Sequence, residues 1–493
     1  MGIKNSIDIK SLFFDNKTVK QTIFKNTFWL AIGEGLSRLL RLIIIIFVAR
    51  ILGATNYGKF SFALAFVSLF VVFYDFGLSY IVTRELSQKE EAEEKYPAVL
   101  SLKIILGLGA FILMFLTSFF VTTDFAIQKV IWILALYIII DDFSEILFAA
   151  IRAYQKMEYE ALGKILKAVL MVIIGFFVIY NFPTVESLSY SLLFTVFISL
   201  VFISLIFHFF IRPLKLEWKK SVWKEFLTLS WPLALTAICY SVYTYLDSTM
   251  MGYWGQITET GWYNAAYKII YTTIIPMMII SQSFFPLLSK FFQESKEKLQ
   301  QVWNYHMIVM IILAIPLITG GIILAPKIID FIYNSDFNPA IFAFQILIVM
   351  AGITFLGDPF EKILIATNQQ KKIFYIAVVG AITNIILNFL LIPLYSLYGA
   401  ALATLITHFL LFILLLIFGE HFTPISFFNV KLIQVLFFTT IATLGMYFII
   451  TRPILFNLNI IILIIVSILV YCSLLLFLFK FNVYLKKWLQ KIK

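Results

Sequence analysis

The feature that most constrains this chain is a series of apolar segments, each about twenty residues long, that recurs from end to end. A helix needs about 20 apolar residues to cross the hydrocarbon core of a bilayer. Fourteen segments meet this condition, at residues 27–50, 58–83, 98–122, 126–152, 162–181, 187–211, 224–251, 262–290, 300–324, 342–366, 372–393, 398–419, 428–451 and 455–480. The chain is 61% hydrophobic and only 13% charged, whereas a soluble domain is about 25% charged. The sequence therefore predicts an all-α polytopic membrane protein with fourteen transmembrane helices.

The lysines and arginines are distributed unevenly around these spans. With the N-terminus placed inside, 28 of the 38 Lys and Arg residues lie in inner segments and five lie at outer ends. Positive residues concentrate on the cytosolic side of membrane proteins. The net charge of +11 is then explained by orientation rather than by nucleic acid binding. We expect a multi-pass protein of the plasma (inner) membrane, with both termini in the cytoplasm and no nucleic acid partner.

The sequence also contains an internal repeat. Asp142 and Glu145 in span 4 recur as Asp358 and Glu361 in span 10, each 216 positions later. A weaker similarity relates the connector between spans 1 and 2 to the connector between spans 7 and 8. Spans 1–6 and 7–12 are therefore predicted to form two pseudo-symmetric six-helix bundles around a central cavity, with two extra C-terminal helices. Transporters with such parallel repeats bind their substrate between the halves.

These patterns divide the chain into six predicted regions. They are a cytosolic N-terminal segment, the first bundle, a cytosolic linker, the second bundle, helices 13 and 14, and a cytosolic tail, at residues 1–26, 27–211, 212–223, 224–419, 428–480 and 481–493. Residues 10–26 mix apolar residues with lysines, which fits either an amphipathic surface helix or a loose tail. No cleaved signal peptide is expected, because residues 1–26 lack a continuous apolar core.

Charged residues within the spans follow the repeat, because they occur in spans 1, 2 and 4 and in spans 7, 8 and 10. The set comprises Glu34, Arg38, Arg41, Asp75, Asp141, Asp142, Glu145, Asp247, Lys268, Asp358, Glu361 and Lys362. A charge at mid-bilayer costs roughly 2.5–3.5 kcal/mol on insertion scales, so we expect these side chains to face one water-filled cavity. Lys103, Lys164 and Lys167 lie near cytosolic ends, where their side chains are expected to snorkel.

Two kinds of binding are predicted from these charges. Arg38 and Arg41 share a helical face with Glu34, and the arginine that does not pair with Glu34 is suited to a phosphate group. A purely structural ion cluster is the alternative. The candidates for lining the cavity or binding a coupling ion, H⁺ or Na⁺, are the carboxylates Glu34, Asp75, Asp142, Glu145, Asp247 and Asp358.

Salt bridges are the alternative to an ion-binding role for several of these groups. The simplest pairs are Asp247 with Lys268, Glu145 with Arg152, and Glu361 with Lys362. Prolines are predicted inside spans of the second bundle alone, since Pro97 and Pro183 fall in connectors. A proline removes a helical hydrogen bond and bends the axis, so Pro232 and Pro276 are the hinge candidates. No nucleophile with its base, Gly-rich phosphate loop or metal-ligand motif is present, so we expect neither catalytic residues, a metal nor a cofactor.

Two stretches resemble the polysaccharide transporters, the flippases of lipid-linked oligosaccharides in the multidrug/oligosaccharidyl-lipid/polysaccharide exporter superfamily. Residues 47–86 contain the run Asp75-Phe76-Gly77-Leu78, and residues 245–269 contain Asp247. The resemblance implies fourteen helices and transfer of a polyprenyl-diphosphate-linked oligosaccharide, for O-antigen, capsule or a related surface polysaccharide, from the inner to the outer leaflet. It also implies alternating access and antiport against a cation gradient.

The resemblance further implies which residues meet the cargo. Arg38, Arg41 and Lys268 would contact the diphosphate or acidic sugars, and Lys268 stands where the lipid II flippases carry an arginine. The expected partners are the lipid-linked oligosaccharide, the bilayer and the proteins of polysaccharide assembly, and the chain is expected to be a monomer.

Two other classes of protein are alternatives. A multidrug exporter of the same superfamily usually has twelve helices and a site rich in carboxylates, so spans 13 and 14 and the two arginines of span 1 disfavour it. An intramembrane prenyl- or glycosyl-transferring enzyme is the third class, because residues 141–145 read DDFSE, similar to the Asp-rich motifs of membrane prenyltransferases. This stretch lies in an apolar helix, however, and no outer loop is long enough to form a catalytic domain.

Overall fold

A computed structural model of the chain describes residues 19–88, 91–427 and 429–492. This part of the chain is built from α-helices joined by short connectors, with a π-helical turn at Phe207–Ile211 and a 3-10 turn at Ser335–Phe337. The helices are α1 (Val19–Leu69), α2 (Val71–Asp75), α3 (Leu78–Gln88), α4 (Glu91–Val121), α5 (Phe125–Ala153), α6 (Met157–Asn181), α7 (Val185–Ile206), α8 (Lys220–Tyr253), α9 (Ile257–Glu294), α10 (Lys296–Ile332), α11 (Ala340–Ala366), α12 (Gln370–Phe422), α13 (Val430–Ile450), α14 (Pro453–Phe456) and α15 (Ile460–Ile492).

Every predicted span coincides with helical structure. α1 covers span 1 and the beginning of span 2, and α12 covers spans 11 and 12 with a break at Ser396, where φ is 53° and ψ is −129°. Ten helices in the described part of the chain are long and apolar enough to cross a membrane. Their outer surfaces keep large apolar side chains exposed, such as Phe120 and Tyr180, each at 82%. Such a surface suits contact with lipid chains rather than with water.

The chain forms two compact units, of which the first ends at Gly261 and the second begins at Trp262. This division differs from the predicted boundary at 212–223, because α8 packs with the helices that precede it. Val222 and Phe226 of α8 belong to the same apolar core as Leu78 and Ile81 of α3. Close packing of these side chains against the preceding helices therefore holds span 7 in the first unit.

The predicted linker and one predicted connector are themselves part of the first unit. Pro97 lies inside α4, so the prediction that the first bundle has no proline within a helix is wrong. The backbone N–H of Glu217 donates to the carbonyl oxygen of Pro97 at 3.2 Å, and the indole N–H of Trp223 donates to the carbonyl oxygen of Ala98 at 2.9 Å. Residues 212–219 are consequently fixed against the start of α4.

The last two spans pack onto the second unit. Ala442 and Met446 of α13 share an apolar core with Leu324 of α10 and Leu463 of α15. The Tyr471 hydroxyl donates to a backbone carbonyl of α10 at 2.8 Å. Spans 13 and 14 are thus integral to this unit rather than a separate appendage.

Helices also extend into both predicted terminal segments. Within the described residues α1 begins at Val19, so residues 19–26 continue the first span instead of forming a separate segment. The choice between a surface helix and a tail for residues 10–18 lies outside the described residues. α15 continues to Ile492, so residues 481–492 are helical.

Glycines shape the two connectors whose sequences are similar. Gly53, between spans 1 and 2, has φ 72°, and Gly255, between spans 7 and 8, has φ 76°. Both values lie in the left-handed region, which glycine adopts without a steric penalty. The two connectors therefore share a backbone conformation as well as a sequence pattern, which supports the predicted repeat.

The helical segments that follow these two glycines cross within the first unit. Thr55 Oγ1 and Thr258 Oγ1 lie 2.9 Å apart and are 203 positions apart in the sequence. Gly58 and Gly261, separated by the same interval, face each other, and a Cβ atom on Gly58 would overlap the carbonyl oxygen of Ile257. Small residues allow two helices to approach this closely. We call these four residues, Thr55, Gly58, Thr258 and Gly261, the glycine crossing.

Candidate functional site

A polar cavity of about 610 Å³ lies in the first unit, beside a break in span 2. Its lining comes from α2, α3 and α5, and comprises Val71, Asp75, Ser79, Tyr80, Thr83, Arg84, Ser87, Asp142, Glu145 and Arg152. Three of these residues are carboxylates and two are arginines. Of the predicted site residues, the structure thus brings Asp75, Asp142 and Glu145 together in one cavity.

The break in span 2 is stabilised by residues at the break itself. Phe76 has φ 51° and Gly77 has φ 76°, so the helix stops after Asp75 and restarts at Leu78. Asp75 replaces the lost helical contacts, because its Oδ2 accepts from the Gly77 N–H at 3.2 Å and its Oδ1 accepts from the Ser79 hydroxyl at 2.7 Å. Non-helical backbone at membrane depth is tolerated where it is buried in protein or lines a cavity, and here it does line one.

The Gly77 backbone packs against the proline-containing part of α8. A Cβ atom on Gly77 would lie 2.9 Å from Leu233 Cβ and 3.2 Å from the Ser230 carbonyl oxygen. Pro232, one of the predicted hinge residues, lies inside α8 between these two contacts. Because proline cannot donate the helical hydrogen bond, both helices are weakened at the same level. Pro276, the other hinge candidate, lies inside α9.

Lys103 is the residue that sequence reasoning most clearly misjudged. Its side chain is 2% exposed, and Nζ lies 2.8 Å from Asp75 Oδ1 and in direct contact with Asp142 Oδ2. The prediction that Lys103 snorkels to the cytosolic surface is therefore wrong. Two half-buried carboxylates share this one buried ammonium group, so the triad of Asp75, Lys103 and Asp142 carries one surplus negative charge. We refer to it as the lysine triad.

Lys164 and Lys167 are also paired inside the bundle. Lys164 Nζ contacts Glu34 Oε1 and lies 2.8 Å from Oε1 of Glu160, a fully buried residue. Lys167 Nζ lies 2.6 Å from Asp141 Oδ1. Their side chains are only 11% and 14% exposed, so snorkelling is the wrong description for these residues too. Attraction to buried carboxylates, which are costly to leave unpaired, draws the ammonium groups inward.

The two arginines of span 1 have different surroundings. Arg38 Nε lies 3.2 Å from Glu34 Oε2, and the arginine side chain is 36% exposed. Arg41 Nε donates to the Ser37 carbonyl oxygen at 3.3 Å, and Arg41 has no carboxylate within 4.0 Å in the described part of the chain. This matches the prediction that one arginine pairs with Glu34 while the other remains unpaired.

The cavity that Arg41 lines is small. Its volume is about 20 Å³, and Lys164, Lys167, Tyr137 and Asp141 are among its other lining residues. A space of this size holds about one water molecule. A diphosphate group does not fit within it.

The predicted salt bridge between Glu145 and Arg152 is present. Arg152 Nη2 lies 3.7 Å from Glu145 Oε2, and Arg152 Nε lies 3.6 Å from Glu160 Oε2. Arg152 and Arg84 are the cations on the wall of the polar cavity, and neither was assigned a cargo-binding role from the sequence. Arg84 is itself paired with Glu85 Oε1, at 2.7 Å.

Asp358 belongs to a separate cluster in the second unit. Asp358 Oδ2 lies 3.1 Å from His306 Nε2 and accepts from the Ser281 hydroxyl, while Asp358 Oδ1 lies 3.6 Å from Lys362 Nζ. The predicted Glu361–Lys362 pair also forms, at 3.5 Å. His306 is fully buried and was not singled out from the sequence. We call Ser281, His306 and Asp358 the histidine cluster.

The lysine triad and the histidine cluster occupy equivalent places in the repeat. In the first unit a basic residue of span 3, Lys103, contacts Asp142 of span 4. In the second unit a basic residue of span 9, His306, contacts Asp358 of span 10. His306 follows Lys103 by 203 positions, the interval that separates Thr55 from Thr258. The two aspartates are 216 positions apart, so no single interval relates the two contacts, and only the folded structure shows that Lys103 and His306 correspond.

The remaining predicted residues lie in different units. Asp247 is 2% exposed inside α8 of the first unit, and Lys268 is half-buried inside α9 of the second. Their pairing stays a prediction. Within the described ranges, no group of His, Cys, Asp and Glu side chains could hold a metal ion, and each carboxylate of the DDFSE stretch is in an ion pair.

The second unit contains an apolar cavity of about 660 Å³. Its walls come from α9, α10, α11, α13 and α15, and include Ile269, Leu313, Pro316, Gly320, Ile348, Met446, Ile464, Ile468 and Cys472. Thr273, Ser467 and Tyr471 are the few polar side chains among them. α15 supplies a large part of this wall and α13 supplies Met446; these two helices contain the two spans that follow the repeat.

These features define the class of an all-α multi-pass membrane protein whose polar side chains line internal cavities rather than form a catalytic site. Comparison with known proteins narrows the class. The chain belongs to the polysaccharide biosynthesis protein family, whose model matches residues 23–292. The MatE family model matches residues 232–390. The resemblance seen in the sequence is thereby confirmed.

Individual relatives agree with this placement. The probable low-salt glycan biosynthesis flippase Agl15 of Haloferax volcanii is 24% identical, over 73% of this chain and 75% of its own length. The capsular polysaccharide biosynthesis protein CapF of Staphylococcus aureus is 24% identical, over 78% of this chain and 96% of its own. The structure of the lipid II flippase MurJ in an inward closed conformation superposes with a TM-score of 0.76 at 18% identity, covering 92% of this chain and 99% of that chain. That last likeness establishes the shared fold.

Proposed function

We propose that this protein is a flippase that moves a polyprenyl-diphosphate-linked oligosaccharide from the inner to the outer leaflet of the plasma membrane. The oligosaccharide would be a repeat unit of O-antigen, capsule or a related surface polysaccharide. Transport would proceed by alternating access of a central cavity and would draw on a cation gradient, H⁺ or Na⁺. Both termini would lie in the cytoplasm, and the proteins of polysaccharide assembly would receive the cargo.

The observation that carries this proposal is the apolar cavity of the second unit. A polyprenyl chain is a long hydrocarbon that enters such a cavity from the lipid, so its binding depends on van der Waals contact with apolar walls that leave no polar group unpaired. The wall built by α10, α13 and α15 is almost wholly apolar. Spans 13 and 14 therefore supply a surface suited to a lipid tail, which a transporter of water-soluble cargo does not need.

The negatively charged headgroup of the cargo needs cationic side chains to bind it. Their exposure and ion pairs guide which of them we propose. Arg38 is the strongest candidate for the diphosphate, because it is partly exposed and its single ion pair uses Nε alone. The planar guanidinium group can bind two phosphate oxygens at once. Lys268 remains a proposed contact, and Arg84 and Arg152 are added because they line the polar cavity.

The lysine triad supports the proposed coupling to a cation. Two half-buried carboxylates share one ammonium group, and the surplus negative charge adjoins a cavity of about 610 Å³. A carboxylate held in this way favours uptake of a proton or a small cation. The triad also ties span 3 and span 4 to the break in span 2, so binding there would act on the helix most suited to bend.

Complementation tests the proposed function. Expression in a host that lacks its own oligosaccharide flippase should restore surface polysaccharide, whereas the Gly320→Phe variant should restore little, because the new ring would fill the apolar cavity. Gly109→Phe is the matched control, since a Cβ atom at Gly109 meets nothing within 4 Å. Surface polysaccharide is measured by gel electrophoresis and membrane expression by immunoblot.

The same strain distinguishes the main alternative. The match of the MatE model to residues 232–390 favours a multidrug exporter as the second candidate function. If the protein confers resistance to cationic drugs and leaves surface polysaccharide absent, the exporter assignment replaces the flippase. Restored polysaccharide without a change in drug sensitivity supports the flippase.

Neutralising the span 1 arginines separately tests the cargo contact. We expect Arg38→Gln to lower the flux of a lipid-linked oligosaccharide in proteoliposomes by at least about tenfold, which corresponds to about 1.4 kcal/mol. Arg41→Gln should have a smaller effect, because Arg41 lines a space too small for a diphosphate. Normal flux in the double variant would show that neither arginine binds the cargo.

A further inference from the structure

His306 lies in an apolar setting with a single polar edge. On α10 it is bordered by Trp303 and Met310, both fully buried in apolar clusters of the second unit. Phe284 of α9 stacks on the imidazole ring, with centroids 4.6 Å apart and planes inclined by 8°. The polar edge is formed by Ser281 and Asp358, so the ring faces hydroxyl and carboxylate oxygens on one side only.

The hydrogen bonds place a hydrogen on Nε2 and leave Nδ1 without a partner among the described residues. Nε2 lies 3.1 Å from both Asp358 Oδ2 and Ser281 Oγ. An ionised carboxylate only accepts hydrogen bonds, and the Ser281 hydroxyl already donates to that carboxylate, so Nε2 carries the hydrogen. Nδ1 is buried and has no hydrogen-bond partner among the described residues. A proton on Nδ1 would be a buried donor without an acceptor, which is costly.

The charges that face the ring come from α11. Asp358 contacts it directly, Lys362 lies 3.6 Å from Asp358, and Glu361 lies 3.5 Å from Lys362. α9 contributes the uncharged Ser281 and Phe284, and α13 contributes Leu432 and Val435 to the apolar cluster beside Trp303. Lys362 is shared by Asp358 and Glu361, so these three groups together carry one negative charge, which protonation of His306 would offset.

His306 differs from its counterpart in the repeat in how readily it changes charge. Lys103 in the lysine triad occupies the equivalent place, and lysine keeps its charge throughout the physiological pH range. Imidazole is the side chain that changes charge between about pH 5 and pH 8. The two units thus hold their third and fourth spans together with the same kind of contact, but in the second unit the basic partner is itself a group that can gain or lose a proton near neutral pH.

We infer that Nδ1 of His306 is a proton-binding site that couples transport to a proton gradient. The inference rests on the proposed flippase function and names the coupling ion. Protonation requires that Nδ1 reach water or an acceptor, and neither is available where Phe284 and the surrounding apolar residues enclose the ring. The proton is therefore taken up in a conformation in which α9 or α11 has moved relative to α10, and it is released when the helices return.

Proteoliposomes with an imposed pH gradient test this role. The flux of a lipid-linked oligosaccharide through the wild-type protein should rise about tenfold when the gradient is applied, at a membrane potential clamped with valinomycin and potassium. His306→Gln should respond by less than about twofold, where the response is the ratio of its flux with the gradient to its own flux without it. His306→Lys, which reproduces the residue of the first unit, should also lose the response. His408→Gln is the matched control and should keep it.

The outcomes separate this inference from the proposed function. If wild-type protein moves no lipid-linked oligosaccharide with or without a gradient, the flippase assignment fails. If the wild-type protein moves the lipid-linked oligosaccharide and His306→Gln keeps the full response to the gradient, the flippase assignment stands and His306 is not the coupling site. A sodium gradient that drives flux while a pH gradient does not would likewise overturn the inference.

Proton binding is also measurable without transport. The chain has four histidines, so replacing His208, His408 and His421 by glutamine leaves His306 as the only one. Its ring carbon signals, followed by NMR in nanodiscs from pH 5 to pH 8, should pass through a full protonation step. Asp358→Asn should shift the midpoint of that step. A ring that stays neutral across this range contradicts the proposed site.

Discussion

Replacing Lys103 by methionine should cost about 3 kcal/mol of the free energy of unfolding, the low end of the range for buried pairs, because it leaves two half-buried carboxylates without a cation. The methionine has a similar length and fills the space of the lysine stem, so the loss reflects charge rather than volume. We expect a large fall in the melting temperature of detergent-purified protein, measured by the fluorescence of a thiol-reactive dye. We also expect transport in proteoliposomes to be abolished, because Asp75 and Asp142 then repel each other at the break in span 2.

Two further variants isolate the charge effect. Lys103→Met combined with Asp142→Asn removes the repulsion and leaves Asp75 hydrogen-bonded to Gly77 and Ser79, so most of the lost stability should return. Lys129→Met breaks an ion pair with Glu186 that is 38% exposed on the lysine side, and such exposed pairs are worth about 0–1 kcal/mol. Equal destabilisation by Lys103→Met and Lys129→Met would contradict our account of the triad.

Gly58→Ala and Gly261→Ala should each disrupt the glycine crossing. A Cβ atom on Gly58 would overlap the carbonyl oxygen of Ile257, and one on Gly261 would overlap the carbonyl oxygen of Ala54. Both obstacles are backbone atoms, which cannot rotate away as a side chain can. Forcing two helices apart exposes well-packed surface, and we expect a loss of at least about 3 kcal/mol or a failure to accumulate. The measurements are membrane expression and thermal unfolding.

The controls for this experiment are other glycines in helices. Gly35→Ala and Gly109→Ala add the same methyl group where nothing lies within 4 Å. Because alanine is the better helix former by about 1 kcal/mol, these two variants should be neutral or slightly stabilising. A Gly58→Ala protein as stable as Gly109→Ala would mean that the crossing is not as tight as described.

The number of spans and their repeat were predictable because both depend on local composition. A membrane-spanning helix must be apolar over its whole length, so fourteen apolar segments predict fourteen spans. The D-x-x-E motif is recognisable in the sequences of spans 4 and 10. The structure places its two aspartates, Asp142 and Asp358, in equivalent clusters. The pairs of Glu145 with Arg152 and of Glu361 with Lys362 were also predictable, since each pair lies on one helix or at its end.

The partners of the buried charges were not predictable, because they come from other helices. Lys103 is near one end of its span, a position that suits snorkelling equally well, and only the folded bundle shows two carboxylates beside it. His306 is a single polar residue in an apolar segment, and no motif in the sequence around it indicated a role. The break in span 2 was hidden for another reason. Phe76 and Gly77 interrupt a segment that is apolar throughout, so hydropathy continues across the point where the helix stops.

The glycine crossing has an evolutionary consequence. After a duplication, the two halves of a gene usually drift independently, and each position is tested only against its own surroundings. Here the backbone of one copy forbids a side chain in the other, so neither Gly58 nor Gly261 is free to mutate, whatever residue stands at the equivalent position. Related sequences should therefore keep glycine at both sites, even where the rest of the two halves has become unrecognisable as copies.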